Sequence, residues 1–117
     1  MLPPELPAWL TDADIDFYAG EFKRTGFRGP LNYYRNVDRN WELTAPWQGA
    51  QIHQPSLFIA GSKDGVITGL IGARQVKDMT RVLPNLKQKL ILDGAGHWIQ
   101  QERPDEVNAA LIAFLKG

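Results

Sequence analysis

The chain has 117 residues, enough for one domain with a modest core, and its 13 Lys and Arg balance 13 Asp and Glu. Zero net charge gives no electrostatic basis for binding nucleic acid or an anionic membrane, and no apolar run is long enough to span one. The absence of cysteine excludes a disulfide framework and a thiolate metal site, and it fits a cytoplasmic location.

The N-terminal part predicts an extended lead-in followed by a helix. Residues 1–10 carry three prolines, which favour extended backbone. Thr11 and Asp14 have the spacing of a capping box, in which each side chain satisfies a backbone amide at a helix start. Apolar side chains between residues 15 and 22 follow at helical spacing, so the helix is expected to end near Gly26.

A second helix is expected to run from Pro30 to about Trp41. Proline is favoured in the first turn of a helix, because the N–H that it lacks has no partner there. Leu31 and Tyr34 then share one face of this helix. Residues 42–54 contain a proline and a glycine and are predicted to be irregular or only briefly helical.

The remaining residues have a β–α–β–α pattern. Residues 56–60 and 88–92 have the composition of short buried strands, and residues 70–82 are expected to form the helix between them. Pro104 is expected to start a final helix. Its apolar stripe consists of Val107, Ala110, Leu111, Phe114 and Leu115. Two strands joined through a helix should be parallel with a right-handed crossover, which places the chain in the α/β class.

A sheet of two parallel strands is a poor stand-alone structure, because parallel sheets are normally larger and covered on both faces. These strands are therefore expected to belong to a larger sheet. In the isolated chain, the exposed flank of the first strand predicts aggregation, oligomerisation or strand exchange.

Two ionisable residues follow the ends of the predicted strands, where open parallel sheets bind ligands. Asp64 follows the first strand, and His97 follows the second. A carboxylate can keep one imidazole nitrogen protonated and leave the other free to take a proton from water. Alone, Asp64 would fit an ordinary turn and His97 a structural role, but together they predict an acid–base pair. His53 is interpreted as a surface residue.

Three segments resemble a known family. Residues 93–108, which contain His97, resemble the histidine loop and last helix of α/β-hydrolases, and of epoxide hydrolases in particular. Residues 57–64 are similar to the acid-bearing strand and loop of the same family. Residues 26–36 resemble the lid segment of soluble epoxide hydrolases. The resemblance covers nearly the whole chain from about Leu6.

The resemblance implies the C-terminal part of an α/β-hydrolase fold, with two parallel strands, flanking helices and lid helices. Residues 1–48 would then form the C-terminal part of the lid and its return to the core. Residues 49–117 would form the C-terminal part of the core.

The same resemblance implies hydrolysis of a small-molecule epoxide to a vicinal diol through an alkyl-enzyme ester, with no metal or organic cofactor. Tyr34 matches a lid tyrosine that hydrogen-bonds the epoxide oxygen. Asp64 matches the acid that orients the base, and His97 matches the general base.

The sequence departs from the family pattern at the nucleophile. A nucleophile elbow should have the pattern Gly-x-nucleophile-x-Gly, and residues 61–65, which have this spacing, carry Lys63 in the middle. The oxyanion loop and a first lid tyrosine are also missing from the pattern. We therefore expect the chain to be inactive alone and to need an N-terminal half of about two hundred residues or a second copy of itself.

Two alternatives stay open at this stage. Haloalkane dehalogenases and other α/β-hydrolases place an acid and a histidine in the same loops, but they should lack the lid tyrosine that Tyr34 matches. The chain could also be a non-catalytic fragment that oligomerises or binds a partner through its exposed sheet flank.

Overall fold

The computed structural model describes residues 5–117. The chain divides into two units, Met1–Gln48 and Gly49–Gly117. The part of the predicted extended lead-in that falls on residues 1–4 lies outside the described residues.

The first unit contains helices in the described part of the chain. They are α1 (Asp12–Thr25), α2 (Arg28–Arg35) and α3 (Val37–Thr44), followed by a 3-10 turn at Ala45–Trp47. The predicted capping box is confirmed, because Thr11 Oγ1 accepts from the Asp14 N–H at 3.2 Å and the Thr11 N–H donates to Asp14 Oδ2 at 2.9 Å. α1 ends where Gly26 takes a φ of 69°, a left-handed conformation that glycine adopts without strain.

The prediction of a single helix over residues 30–41 is wrong. Asn36, with φ −91° and ψ 4°, leaves the helical conformation and separates α2 from α3. Asparagine has a lower helix propensity than most residues, so leaving the helical conformation costs less here than at most other positions. Pro30 does lie in the first turn of α2, as its sequence position predicted.

The second unit alternates strands and helices. In chain order its elements are β1 (Ser56–Gly61), α4 (Gly65–Thr68), α5 (Leu70–Lys77), a 3-10 turn at Met79–Arg81, β2 (Leu86–Leu92), α6 (Ile99–Glu102) and α7 (Pro104–Lys116). β1 and β2 pair in parallel, so that both strands, their direction and the α/β class are confirmed. Because their carboxyl ends coincide, with Gly61 opposite Leu92, the loops that follow them emerge side by side.

The helix expected over residues 70–82 is shorter in the structure. α5 ends at Lys77, because Asp78 takes φ −92° and ψ 10°, and the 3-10 turn follows. The four-residue helices α4 and α6 were not predicted, since four residues are too few to show a helical periodicity.

The core lies directly beneath the loop that follows β2. Its buried cluster consists of Leu92, Ala95, Ile99 and Val107, with Ile59 and Leu90 packed against it. Ala95, at 1% exposure, is the most deeply buried of these side chains. The loop between β2 and α6 is thus anchored in the core by its own Ala95 and by Leu92 and Ile99, which flank it.

Other parts of the second unit cover only part of the apolar stripe of α7. Val107 and Ala110 are buried, whereas Leu111 and Leu115 are exposed. Within residues 5–117 the sheet has two strands, so each strand has one edge without a partner strand. Within the same residues, no helix is both long enough and apolar enough to cross a membrane.

Candidate active site

The two loops that leave the carboxyl ends of β1 and β2 bring Asp64 and His97 together. His97 Nδ1 lies 2.9 Å from Asp64 Oδ2, which is a hydrogen-bonding distance. The Asp64 side chain is 8% exposed, whereas the His97 side chain is 55% exposed. The pair therefore joins a shielded carboxylate to an imidazole ring that solvent or a ligand can reach.

The two carboxylate oxygens of Asp64 have separate partners. Oδ1 accepts a hydrogen bond from the Val66 N–H at 2.8 Å, which caps the start of α4. Oδ2 is left to face His97. From the sequence, Asp64 fitted either an ordinary turn or the acid of a pair. In the structure one side chain does both, and its hydrogen bond to the Val66 N–H holds the carboxylate in place.

These contacts keep Asp64 ionised. The hydrogen bond with His97, followed by the one from the Val66 N–H, holds the pKa of the Asp64 carboxyl below its ordinary value of 3.8, while burial opposes the shift. At neutral pH the residue is therefore a carboxylate that can accept the Nδ1–H of the imidazole and stabilise a protonated ring.

The lowered pKa predicts a pH-dependent contribution of Asp64 to stability. A carboxyl whose pKa is lower in the folded chain stabilises it above the unfolded value of 3.8 and loses this contribution as the pH falls through the folded value. Asp64→Asn should therefore lower the Tm at neutral pH, and the difference should shrink as the pH falls below about 4. Circular dichroism during thermal unfolding measures this difference in Tm, and Asp105→Asn, a change at an exposed position, is the control. A difference that persists unchanged into strong acid contradicts the prediction.

Further hydrogen bonds join the acid loop to the histidine loop. Ser62 Oγ accepts from the Gly94 N–H at 2.8 Å and donates to Asp93 Oδ1 at 3.1 Å. The Lys63 N–H donates to the Ala95 carbonyl oxygen at 2.8 Å. These links could not be predicted from the sequence, because each joins residues about thirty positions apart along the chain.

Gly61, at the end of β1, allows the histidine loop to approach closely. A Cβ atom at this position would overlap the carbonyl oxygens of Ala95 and Gly96. The sequence suggested only that this glycine ends a strand. Its tertiary role is to leave room for the backbone that carries His97.

Glu102 holds the backbone on both sides of His97. Its Oε2 accepts from the Gly96 N–H at 2.6 Å, and its Oε1 accepts from the Trp98 N–H at 3.0 Å. The Trp98 ring meets the His97 ring edge to face, with 5.1 Å between centroids. Glu102 was not among the predicted site residues, and the signal for it in the sequence was an acidic residue a few positions after the histidine.

Tyr34 lies on α2 of the first unit, whereas Asp64 and His97 lie in the second. The Tyr34 side chain is 79% exposed and lines a groove with Pro30, Tyr33 and Val37. Tyr33, next to it on α2, borders the same groove, and both tyrosine side chains are largely exposed.

The second histidine lies apart from this pair. His53 is exposed, as expected, and its carbonyl oxygen accepts a hydrogen bond from Asn85 Nδ2 at 2.5 Å. Among residues 5–117, no group of three or more His, Cys, Asp or Glu side chains is arranged to hold a metal ion.

Comparison with curated proteins identifies similar sequences. The chain is 52% identical over 115 residues to epoxide hydrolase A of Mycobacterium tuberculosis, covering 98% of this chain and 34% of that protein. It is 44% identical over 115 residues to epoxide hydrolase B of the same species, covering 98% and 32%. It thus spans about a third of the length of these relatives. No protein-family model matches the chain.

Solved structures give the same result. The crystal structure of epoxide hydrolase A from Mycobacterium thermoresistibile matches with a TM-score of 0.89 and 53% identity, covering 98% of this chain and 35% of that one. A mutant of the Vigna radiata epoxide hydrolase matches with a TM-score of 0.92 and 40% identity, covering 97% and 36%. The two parallel strands with flanking helices correspond to a C-terminal part of the α/β-hydrolase fold.

Proposed function

We propose that this chain, which belongs to the epoxide hydrolase family of the α/β-hydrolases, supplies the acid–base part of an active site that converts epoxides to vicinal diols. The observation that carries the proposal is the 2.9 Å hydrogen bond between shielded Asp64 and accessible His97. Because the chain spans about a third of its relatives, a segment outside these 117 residues would supply the nucleophile.

Ring opening comes first in the proposed reaction. A carboxylate nucleophile of the complementary segment attacks an epoxide carbon, and the bond between that carbon and the ring oxygen breaks. Tyr34 first hydrogen-bonds the epoxide oxygen, as a phenol can do with an ether oxygen. It then donates its phenolic proton to that oxygen as the ring opens. The products of this step are an alkyl-enzyme ester that carries a hydroxyl group and a tyrosinate.

Ester hydrolysis follows and uses the pair. His97 Nε2 takes a proton from water as the water oxygen attacks the ester carbonyl carbon, and Asp64 stabilises the imidazolium that forms. The bond between that carbon and the alkyl oxygen then breaks. The two protons of the water pass to the departing alkoxide and to the tyrosinate of Tyr34. The carboxylate, His97 and Tyr34 return to their starting states, and the net reaction is epoxide plus water to diol.

The proposal is tested by completing the site. In a chimaera, called here the mycobacterial chimaera, this chain replaces the matching 115-residue segment of epoxide hydrolase A from Mycobacterium tuberculosis. We expect it to form diol from a simple aryl epoxide, whereas the 117-residue chain alone forms none. The unmodified relative serves as the control. A folded chimaera that forms no diol contradicts the proposal, and diol from the chain alone contradicts the assigned roles.

A haloalkane dehalogenase or another α/β-hydrolase is the nearest alternative, because it would use the same pair to hydrolyse an ester intermediate. Such an enzyme expels a leaving group and does not need a phenol to protonate a ring oxygen. The exposed phenol of Tyr34 in its groove therefore favours the epoxide substrate.

Tyr34→Phe separates these two candidates. In the mycobacterial chimaera we expect ester formation from the epoxide to slow by roughly a hundredfold, because the ring oxygen loses its proton donor. Ester hydrolysis, followed by single-turnover mass spectrometry, should keep its rate. Tyr33→Phe on the same helix is the matched control, since Tyr33 is just as exposed. An unchanged rate of ester formation in Tyr34→Phe would favour the dehalogenase.

The expected partner is that complementary segment of the enzyme, and a second copy of the chain is the alternative. We propose that the edge of β1 that has no partner strand among residues 5–117 pairs with the complementary segment, since an isolated parallel pair leaves backbone N–H and C=O groups without partners. The cytoplasmic location and the non-catalytic binding fragment stay predictions.

A further inference from the structure

The backbone that carries His97 is bracketed by one side chain. Glu102 Oε2 accepts from the Gly96 N–H at 2.6 Å, and Glu102 Oε1 accepts from the Trp98 N–H at 3.0 Å. Hydrogen bonds to an ionised carboxylate are shorter and stronger than those between neutral groups. The amides immediately before and after the histidine are therefore both fixed to α6.

We propose that Glu102 is a positioning residue that holds the His97 imidazole where it can activate water. The effect of Glu102 on catalysis rests on the proposed function, whereas the restraint on the backbone rests on the two hydrogen bonds of Glu102. The His97 side chain is 55% exposed, so packing alone does not fix the ring. Asp64 holds its Nδ1, and Glu102 holds the backbone from which the ring projects.

The surrounding residues suit this restraint. Ala95 and Ile99 are buried in the core at 1% and 7% exposure, so the exposed turn between them is the part that needs support. Glu102 spans that turn. Gly96 permits the close approach, because a Cβ there would meet Glu102 Oε1 at 2.9 Å, inside normal contact distance.

Glu102→Gln is the decisive variant, because it keeps the shape and replaces one acceptor oxygen by an N–H donor that would face a backbone N–H. A displacement of about 1 Å at a catalytic group can cost roughly a hundredfold in rate. In the mycobacterial chimaera we expect ester hydrolysis to slow by about ten- to a hundredfold while ester formation keeps its rate. The alkyl-enzyme should then accumulate as a mass adduct equal to the epoxide.

Glu42→Gln is the matched control. Glu42 lies on α3 in the first unit, is exposed, and its carboxylate pairs with Arg39 at 2.9 Å. It should leave both steps unchanged. Equal slowing of both steps by Glu102→Gln would indicate general destabilisation and would overturn the proposal, as would an unchanged rate of hydrolysis.

A second measurement does not depend on activity. In the 117-residue chain, exchange of the Gly96 and Trp98 amide hydrogens should become at least about tenfold faster in Glu102→Gln and stay unchanged in Glu42→Gln. Unaltered exchange at both amides overturns the restraint. If the unmodified chimaera makes no diol, the proposed function fails by itself, and amide exchange still decides whether Glu102 holds the loop.

Discussion

Replacing His97 by glutamine in the mycobacterial chimaera should lower diol formation by at least about a thousandfold, because an amide cannot take a proton from water. Ester formation does not use the imidazole and should continue until the enzyme is fully alkylated. Mass spectrometry should therefore find one epoxide equivalent bound per chain, with almost no release over many native turnovers.

The second histidine offers a matched control for this variant. His53→Gln makes the same chemical change at an exposed position whose backbone carbonyl, and not its ring, makes the observed hydrogen bond. It should leave both steps unaltered. Diol formation at the native rate by His97→Gln would remove the imidazole from the mechanism and with it the function proposed for the pair.

Strand context made the pairing of Asp64 with His97 predictable from the sequence. Each residue follows a strand within a few positions, and parallel strands place their carboxyl ends at the same edge of a sheet. The parallel register then required the two loops to meet. The capping box at Thr11 was predictable for a related reason, since its pattern is local and its two members are three residues apart.

Contacts between residues distant in sequence could not be predicted in the same way. Ser62 bonds to a loop that begins thirty-one residues later, and no local spacing signals that bond. Asn36 was expected inside a helix, because the helical periodicity of the sequence continues across it. The helix breaks there because of the backbone conformation of Asn36 itself, which the periodicity does not show. The restraint from Glu102 depends on α6, a helix too short to have a periodic signature.

The acid and base of the candidate site are assembled within one unit of the chain. The hydrogen bonds of Ser62 and the close approach at Gly61 join the two loops independently of Tyr34, which belongs to the other unit. In the proposed chemistry the pair activates water for ester hydrolysis, and the phenol of Tyr34 is the proton donor in ring opening. Variants of Asp64 and His97 should accordingly affect the second step, and Tyr34→Phe the first.

Asp64→Asn should reduce ester hydrolysis by about a thousand- to ten-thousandfold in the mycobacterial chimaera, although the side chain keeps its size. Asparagine can still cap α4 through its oxygen, because it is among the favoured residues at that position. Its N–H₂ group would then face His97 Nδ1 and donate to it. The ring proton would move to Nε2, and the nitrogen that should accept a proton from water would already carry one.

The position of the ring proton distinguishes the predicted loss of catalysis from a loss of folding. Nitrogen NMR of the ring should show the proton on Nδ1 in the native chain and on Nε2 in Asp64→Asn, and the Val66 amide should stay protected from exchange in both. Asp105→Asn, an exposed change in the first turn of α7, should alter neither the ring nor the rate. If Asp64→Asn shifts the tautomer but hydrolyses the ester at the native rate, His97 does not act through Nε2. If the tautomer is unchanged and hydrolysis is still lost, the negative charge of Asp64, and not its hydrogen bond, is what the imidazolium requires.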